Sequence, residues 1–336
     1  AASVGGDAKA DAGSVGYGAR MVKLTGSASE LHWSPAGDKL AVALAPTPHV
    51  DDSLMFRKVH IVELKTGKAT NLNNPGKMGQ IAWSPDGDEL ALISAADKHD
   101  PKEGRLFIHK VGENGFTHLP IRGHVESIAW FYQVDLAFQT SVGVETAFEV
   151  ILDIKKRSVS SQGTISKVIV GNMSAAQEKG LAFIAHTPEH PPEVYYIGFN
   201  GLNTDGKLRR LTDSNPWLKN MRFAKQEVIK YKARDGLELE GILIHPLDEK
   251  KGQRYPLVLT VHGGPEAHVS NGWNTLYHTL GQVGAAQGMA TFLPNYRGST
   301  GRGVAFSMLG QREAAGKEFD DLVDAVDHLV KERLVD

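Results

Sequence analysis

Two kinds of hydrophobic patterning divide this chain. Over roughly its first two thirds, short apolar runs alternate with polar turns. Leu40-Ala41-Val42-Ala43, Leu90-Ala91-Leu92-Ile93, Leu136-Ala137-Phe138 and Leu181-Ala182-Phe183-Ile184 head four similar units. Each unit carries a second run: Val59-His60-Ile61-Val62, Leu106-Phe107-Ile108, Val150-Ile151-Leu152 and Val194-Tyr195-Tyr196-Ile197. Runs of this length, rich in β-branched and aromatic residues and bounded by Pro, Gly and Asp, predict strands. Beyond about residue 217 the pattern changes. Val228 to Lys232 and Leu237 to Ile244 predict a hairpin around Asp235-Gly236. Pro256 to Val261 and Met289 to Leu293 predict strands buried on both faces. Trp273 to Gln287 predicts a helix ended by Gly288. Glu318 to Lys331 predicts an amphipathic helix, with Phe319, Leu322, Val323, Val326, Leu329 and Val330 on one face. Asp320, Asp321, Asp324 and Asp327 lie mostly opposite and read as a solvated face. Strand–helix–strand–helix order predicts an α/β domain with a mainly parallel sheet.

The first region repeats. Trp33-Ser34-Pro35-Ala36-Gly37-Asp38 recurs as Trp83-Ser84-Pro85-Asp86-Gly87-Asp88 at a spacing of 50 residues, and Trp130 follows 47 later. Pro presets φ, Gly accepts positive φ and Asp bonds the local backbone, so each motif predicts a tight turn. Units of ~40–50 residues with about four short strands are the pattern of β-propeller blades, which bury their faces by stacking. A β-sandwich shares the turns but not the fixed Trp spacing. The expectation is a partial propeller over residues 20–216, about four blades plus the end of another. Arg20 to Thr25 supplies that end, because it reads like the closing strand at Arg209-Arg210-Leu211-Thr212. Residues 1–19 are expected as an irregular segment, and residues 217–336 as an α/β domain.

Composition narrows the chemistry. Of 336 residues, 37 are Lys or Arg and 39 Asp or Glu, a formal charge of −2. With no basic stripe, this argues against a nucleic-acid partner. The absence of cysteine removes disulfides, thiolate metal sites and a cysteine nucleophile. No apolar run approaches the ~18 residues of a membrane span. His186-Thr187-Pro188-Glu189-His190 matches an inverted zincin pattern, but Pro188 opposes the helix that chemistry requires, so no metal is expected. Gly298 to Gly303 is glycine-rich without matching a phosphate-binding pattern, and Asn172-Met173-Ser174 is a glycosylation sequon of the frequent chance kind.

The sharpest chemical signal is His262-Gly263-Gly264-Pro265, directly after a predicted buried strand. Paired glycines there let backbone N–H groups face a ligand, and a His-Gly-Gly loop in α/β-hydrolases supplies one N–H of the oxyanion hole. Asn295-Tyr296-Arg297-Gly298-Ser299 follows the next strand. Arg297 is expected in a structural ion pair with Asp320 or Asp321, although a binding role with His262 and Gly263 is the alternative.

Together, His262-Gly-Gly-Pro, Asn295-Tyr-Arg-Gly-Ser-Thr-Gly and the acidic helix Glu318-Phe-Asp-Asp-Leu resemble the prolyl oligopeptidase family of serine peptidases, in its acylaminoacyl peptidase and dipeptidyl peptidase branch. The resemblance implies a propeller followed, over residues 217–336, by the N-terminal part of an α/β-hydrolase domain, with the Gly264 N–H as oxyanion donor and no cofactor. It implies a nucleophile in a Gly-x-Ser-x-Gly elbow, with an Asp and a His further on. No such elbow occurs here, and Ser299 does not match one. The triad is therefore expected outside this chain, on a complementary C-terminal hydrolase fragment or subunit. Short peptides are the implied substrates, admitted past the propeller. Recognition of a substrate N-terminus by acidic propeller residues is known in dipeptidyl peptidases, but Glu126, Glu145 and Glu149 form no motif for it. A non-catalytic propeller binding protein and an esterase are the rival readings. Family members occur in the cytoplasm and in the Gram-negative periplasm, so compartment stays open, as does homo-oligomer formation.

Overall fold

The computed structural model describes residues 22–132, 135–151, 154, 168–176, 179–200, 203–204, 207–264, 266–313 and 315–336. Among them five sheets form. The first contains β1 (Ser27–Trp33), β2 (Lys39–Ala45), β3 (Lys58–Glu63) and β4 (Ala69–Asn71), in that order and antiparallel. A short helix, α1 (Val50–Met55), joins β2 to β3. The second repeats the plan with β5 (Met78–Trp83), β6 (Glu89–Ser94), β7 (Arg105–Lys110) and β8 (Thr117–Leu119). The third has β9 (His124–Trp130), β10 (Leu136–Val142) and β11 (Glu145–Ile151). The fourth has β12 (Ile169–Ala176), β13 (Gly180–Thr187), β14 (His190–Asn200), β15 (Asn203–Thr204) and β16 (Arg209–Arg210). No strand pairing among the described residues closes the series into a barrel.

The repeated hexapeptide builds the β1–β2 and β5–β6 turns. Gly37 N donates to Ser34 O and Gly87 N to Ser84 O, both at 2.9 Å. The serine hydroxyls, nearly buried, accept the N–H of the next strand's first residue: Lys39 at 3.0 Å and Glu89 at 2.9 Å. The tryptophans join neighbouring sheets. Trp83 Nε1 donates to His32 O at 3.0 Å and Trp130 Nε1 to Ala82 O at 3.1 Å. Gln80 adds an amide clamp, donating to Ile128 O and accepting from Ile128 N. Each adjacent pair of sheets thereby shares one apolar core. Trp33 has no such partner and is 63% exposed. Trp83→Phe should therefore cost about 1 kcal/mol through one lost intersheet hydrogen bond, and Trp33→Phe nothing measurable, in urea unfolding.

The predicted strand at Arg20 to Thr25 is not observed. Arg20 and Met21 lie outside the described residues. Val22 and Leu24 pack onto Val42, Leu44 and Val62 without joining a ladder. They cover a face of the first sheet, whose outer edge β4 already holds. The segment expected to be irregular at 1–19, and Gln133, Val134, Asp205 and Gly206, also fall outside the described residues.

After a 3-10 turn at Pro216–Asn220 comes the fifth sheet: β17 (Gln226–Lys232), β18 (Glu238–Ile244), β19 (Leu257–Leu259) and β20 (Ala290–Asn295), ordered β17-β18-β20-β19. The expectation of a mainly parallel sheet is corrected. Only β19–β20 is parallel, because the β17–β18 hairpin enters antiparallel. The doubly buried strand at Pro256 to Val261 shrinks to three half-buried residues, with Val261 45% exposed, because β19 lies at the sheet edge. The helix expected over Trp273 to Gln287 shortens to α2 (Gly281–Ala286). Ahead of it, Thr279 Oγ1 donates to Asn274 O and accepts from Leu276 N, folding residues 274–279 into turns. Then α3 (Val304–Ser307) leads to α4 (Lys317–Lys331). The buried line of α4 is Asp321, Ala325 and Leu329, while Phe319 and Val323 are exposed. Capture of Asp321 by Arg297 turns the helix away from its apolar stripe. No described helix is long and apolar enough to cross a membrane.

Candidate active site

The loop after β19 carries the candidate oxyanion donor. Gly263 and Gly264 are exposed, and their N–H groups make no hydrogen bond among the described residues. Gly264 has φ +128°, and a Cβ there would sit 2.5 Å from Glu266 N, so this turn requires glycine. Pro265 lies outside the described residues.

His262 is held from three directions. Its ring stacks on Tyr296 with centroids 4.6 Å apart. Tyr296 OH donates to His262 O at 2.7 Å. Ser299 Oγ lies 3.0 Å from His262 Nε2 and passes its own proton to Tyr296 O at 2.6 Å. Burial pushes the His262 imidazole below its ordinary range, opposed by the Gly263 carbonyl at Nδ1. His262 is thus engaged in shaping the loop. Ser299, fully buried and bonded to Tyr296 O, is placed as a brace. Asn295 closes the far side: its amide accepts from Val269 N at 2.7 Å and donates to Val269 O at 2.9 Å.

Arg297 is 5% exposed and lies in a double carboxylate clamp. Its backbone N–H, Nε and Nη2 all donate to Asp321, and Nη1 and Nη2 donate to Asp235. These hydrogen bonds raise the guanidinium further above its ordinary range, with Asp321 the larger contributor. Nε, Nη1 and Nη2 are thus each engaged by a carboxylate, which is the ion pair with the acidic helix. Reading Asp321 and Asp324 as solvated is corrected: Asp321 is fully buried, and the Asp324 side chain, 10% exposed, pairs with Arg234.

Residues in or next to the second, third and fourth sheets reach the loops at 266–273 and 296–303 directly. His124, fully buried in β9, accepts Gly301 N–H on Nδ1 at 2.9 Å. His186 in β13 accepts Trp273 N–H on Nδ1 at 2.8 Å. Lys77 pairs with Glu266. Nothing local in the sequence marks these partners. His186 and His190 sit on two strands of a hairpin, not on a helix. No cluster of three or more His, Asp or Glu suited to a metal occurs among the described residues. Between the sheets and the loop lies a cavity of about 380 Å³, lined by Lys102, Glu126, Gln139, Glu266, His268 and Thr300 among others. Burial pushes the Glu126 carboxyl up, against the pull of Lys102. The Gln139 carbonyl oxygen is buried without a partner among the described residues. Glu145 Oε1 accepts from Asn271 Nδ2 at 3.2 Å; the Glu149 side chain lies outside the described residues.

Two of these histidines predict acid sensitivity. Burial lowers His124 to about 3 and His268 to about 4, from an ordinary 6.5. Both are neutral when folded and protonate more readily when unfolded. Their stabilisation is complete above pH 6.5 and declines as pH falls from there toward about 4 and 3. Urea midpoints should therefore decrease from pH 7.5 to 5, and His124→Asn with His268→Asn should flatten that decrease.

Residues 275–336 match the profile of the prolyl oligopeptidase family. That stretch is similar to a segment of the prolyl oligopeptidase family. The family resemblance extends outside it. Dipeptidyl aminopeptidase BIII of Pseudoxanthomonas mexicana is 36% identical over 155 residues, 44% of this chain and 22% of the relative. Dipeptidyl-peptidase 5 of Porphyromonas gingivalis is 26% identical over 317 residues, 91% of this chain and 45% of the relative. A puromycin-hydrolyzing peptidase of Mycobacterium tuberculosis superposes with a TM-score of 0.72 at 18% identity, covering 94% of this chain and 50% of that one. The last likeness concerns fold alone, and the fold is that of the family's peptidases, which pair a propeller with a hydrolase domain. The chain spans no more than about half of these three proteins.

Proposed function

We propose that this chain is a component of a serine peptidase that hydrolyses short peptides through an acyl-enzyme. The four sheets are four blades of a propeller, which restricts entry to the site. The observation that carries the reading is the Gly264 loop: N–H groups without a partner among the described residues, at the carboxyl end of a parallel strand, beside a segment similar to the family. The cavity at Glu126 and Gln139 adjoins that loop and has room for the end of a peptide.

Nucleophile, general base and orienting acid belong to a complementary C-terminal hydrolase segment. Supporting this, Val335 forms a parallel bridge with Tyr255, and Asp336 N donates to Tyr255 O at 3.1 Å, beside the open edge of β19. A strand following that course lies along β19, where a nucleophile elbow ends close to Gly264. The test is fluorophosphonate labelling of the whole protein, with the modified residue mapped by peptide mass spectrometry. A labelled serine outside residues 1–336, with peptide hydrolysis lost in step, is the expected result. Absence of both labelling and hydrolysis overturns the reading.

A further inference from the structure

The loop at 296–303 lies between the propeller-like sheets and the oxyanion loop, and it is gripped from both sides. On one side Gly301 meets the third sheet through both peptide groups. Its N–H donates to His124 Nδ1 at 2.9 Å, and its carbonyl accepts Gly143 N–H at 2.8 Å. Gly301 has φ +87°, and a Cβ there would stand 2.9 Å from Gly143 O, so the approach admits only glycine. On the other side the neighbouring residues hold the oxyanion loop. Ser299 Oγ meets His262, Thr300 N donates to Ala267 O at 3.0 Å, and Thr300 Oγ1 meets His268 Nδ1 at 2.8 Å.

The His124 ring cannot turn away. It is fully buried, and a Cβ on Gly104 of the second sheet would lie 2.4 Å from its Cδ2. Accepting Gly301 N–H at Nδ1 places the ring proton on Nε2. There Ser307 Oγ stands 3.4 Å away, with its own proton directed to Gly303 O at 3.0 Å. The imidazole is therefore one fixed tautomer wedged between β7 and the loop.

We propose that His124 is a positioning residue for the acyl-transfer site, transmitting the placement of the third sheet to the oxyanion loop through Gly301, Ser299 and Thr300. The inference rests on the reading of Gly264 as the oxyanion donor. It gives the propeller a role beyond screening substrates: without the third sheet in place, the Gly264 N–H loses its aim.

The experiment compares His124→Phe and His124→Asn in the whole protein. Phe keeps a ring but removes the acceptor, while Asn places an amide oxygen where Nδ1 stood. His124→Phe should lower kcat ~10–100-fold with KM changed by less than about twofold, as expected for a misplaced donor and not lost binding. His124→Asn should restore most of it. Amide exchange of residues 262–268 and 299–303 should quicken in His124→Phe and return toward wild type in His124→Asn. Unchanged exchange at 262–268 in folded His124→Phe overturns the proposal whatever the activity. Equal kcat losses in both variants, tracking the folded fraction, overturn it as well. A wild-type protein without acyl transfer sinks the peptidase reading instead, and the exchange data then decide separately whether His124 holds the loop.

Discussion

Arg297→Lys is expected to lower stability by about 3 kcal/mol, the range for breaking a buried ion pair on one side. Arg297 spans Asp321, which is fully buried, and Asp235 in the turn between β17 and β18. Its planar fork serves both carboxylates at once while its backbone N–H binds Asp321 as well. An ammonium has the charge but not the fork, so one carboxylate loses its donors. The buried Asp321 cannot recover them from water. Asp321→Asn should be similarly costly, because it strands the guanidinium. The double variant Arg297→Met with Asp321→Leu should lose less than the two singles together. Urea unfolding at pH 7 measures all three. Arg297→Lys unfolding at the wild-type midpoint would sink the argument. Acid should spare the Asp235 arm of the clamp over most of its range. Hydrogen bonding to Arg297 pulls Asp235 down to about 2 from 3.8, so its contribution is complete above pH 3.8 and lost only as pH falls through about 2.

The same residue shows how far the sequence could be read. The pairing of Arg297 with a carboxylate of the acidic helix was legible, because an Arg in a post-strand loop and a helix rich in Asp need each other. The choice of Asp321, and the second partner Asp235, were not, since both depend on how α4 rotates. The repeat was legible through Trp33, Trp83 and Trp130, because turn chemistry and period are local. The serine hydroxyl that completes each turn was hidden behind the Pro and Gly signals. Segment 273–280 misled because apolar residues at helical spacing do not exclude a chain stapled by Thr279. The strand at 256–261 misled because a short apolar run looks the same at an edge and in a sheet's centre. His124 and His268 carried no signal, and His186 only a misleading zincin-like one, since their partners lie far along the chain or in a loop whose course only packing decides.

Gly264→Ala should lower kcat by about 10²–10³, the usual cost of losing one oxyanion donor, while leaving the unfolding midpoint close to wild type. The backbone there has φ +128°, where an L side chain is strained, and the added methyl would stand 2.5 Å from Glu266 N. Relief requires the peptide to rotate, which swings the Gly264 N–H off its direction. The loop is exposed and its N–H is unpaired, so the rotation breaks no buried contact and the fold is spared. Gly263→Ala is the control. A Cβ at Gly263 meets nothing within 4 Å, so its effect on kcat should be much smaller. The two variants differ by one position, and only the constraint on φ and space separates them. Steady-state hydrolysis of a chromogenic dipeptide by the whole protein, with the rate of fluorophosphonate labelling as a second measure, reads the difference. Equal rates for Gly264→Ala and wild type would remove Gly264 from the oxyanion hole and leave the His262 loop as a purely structural turn.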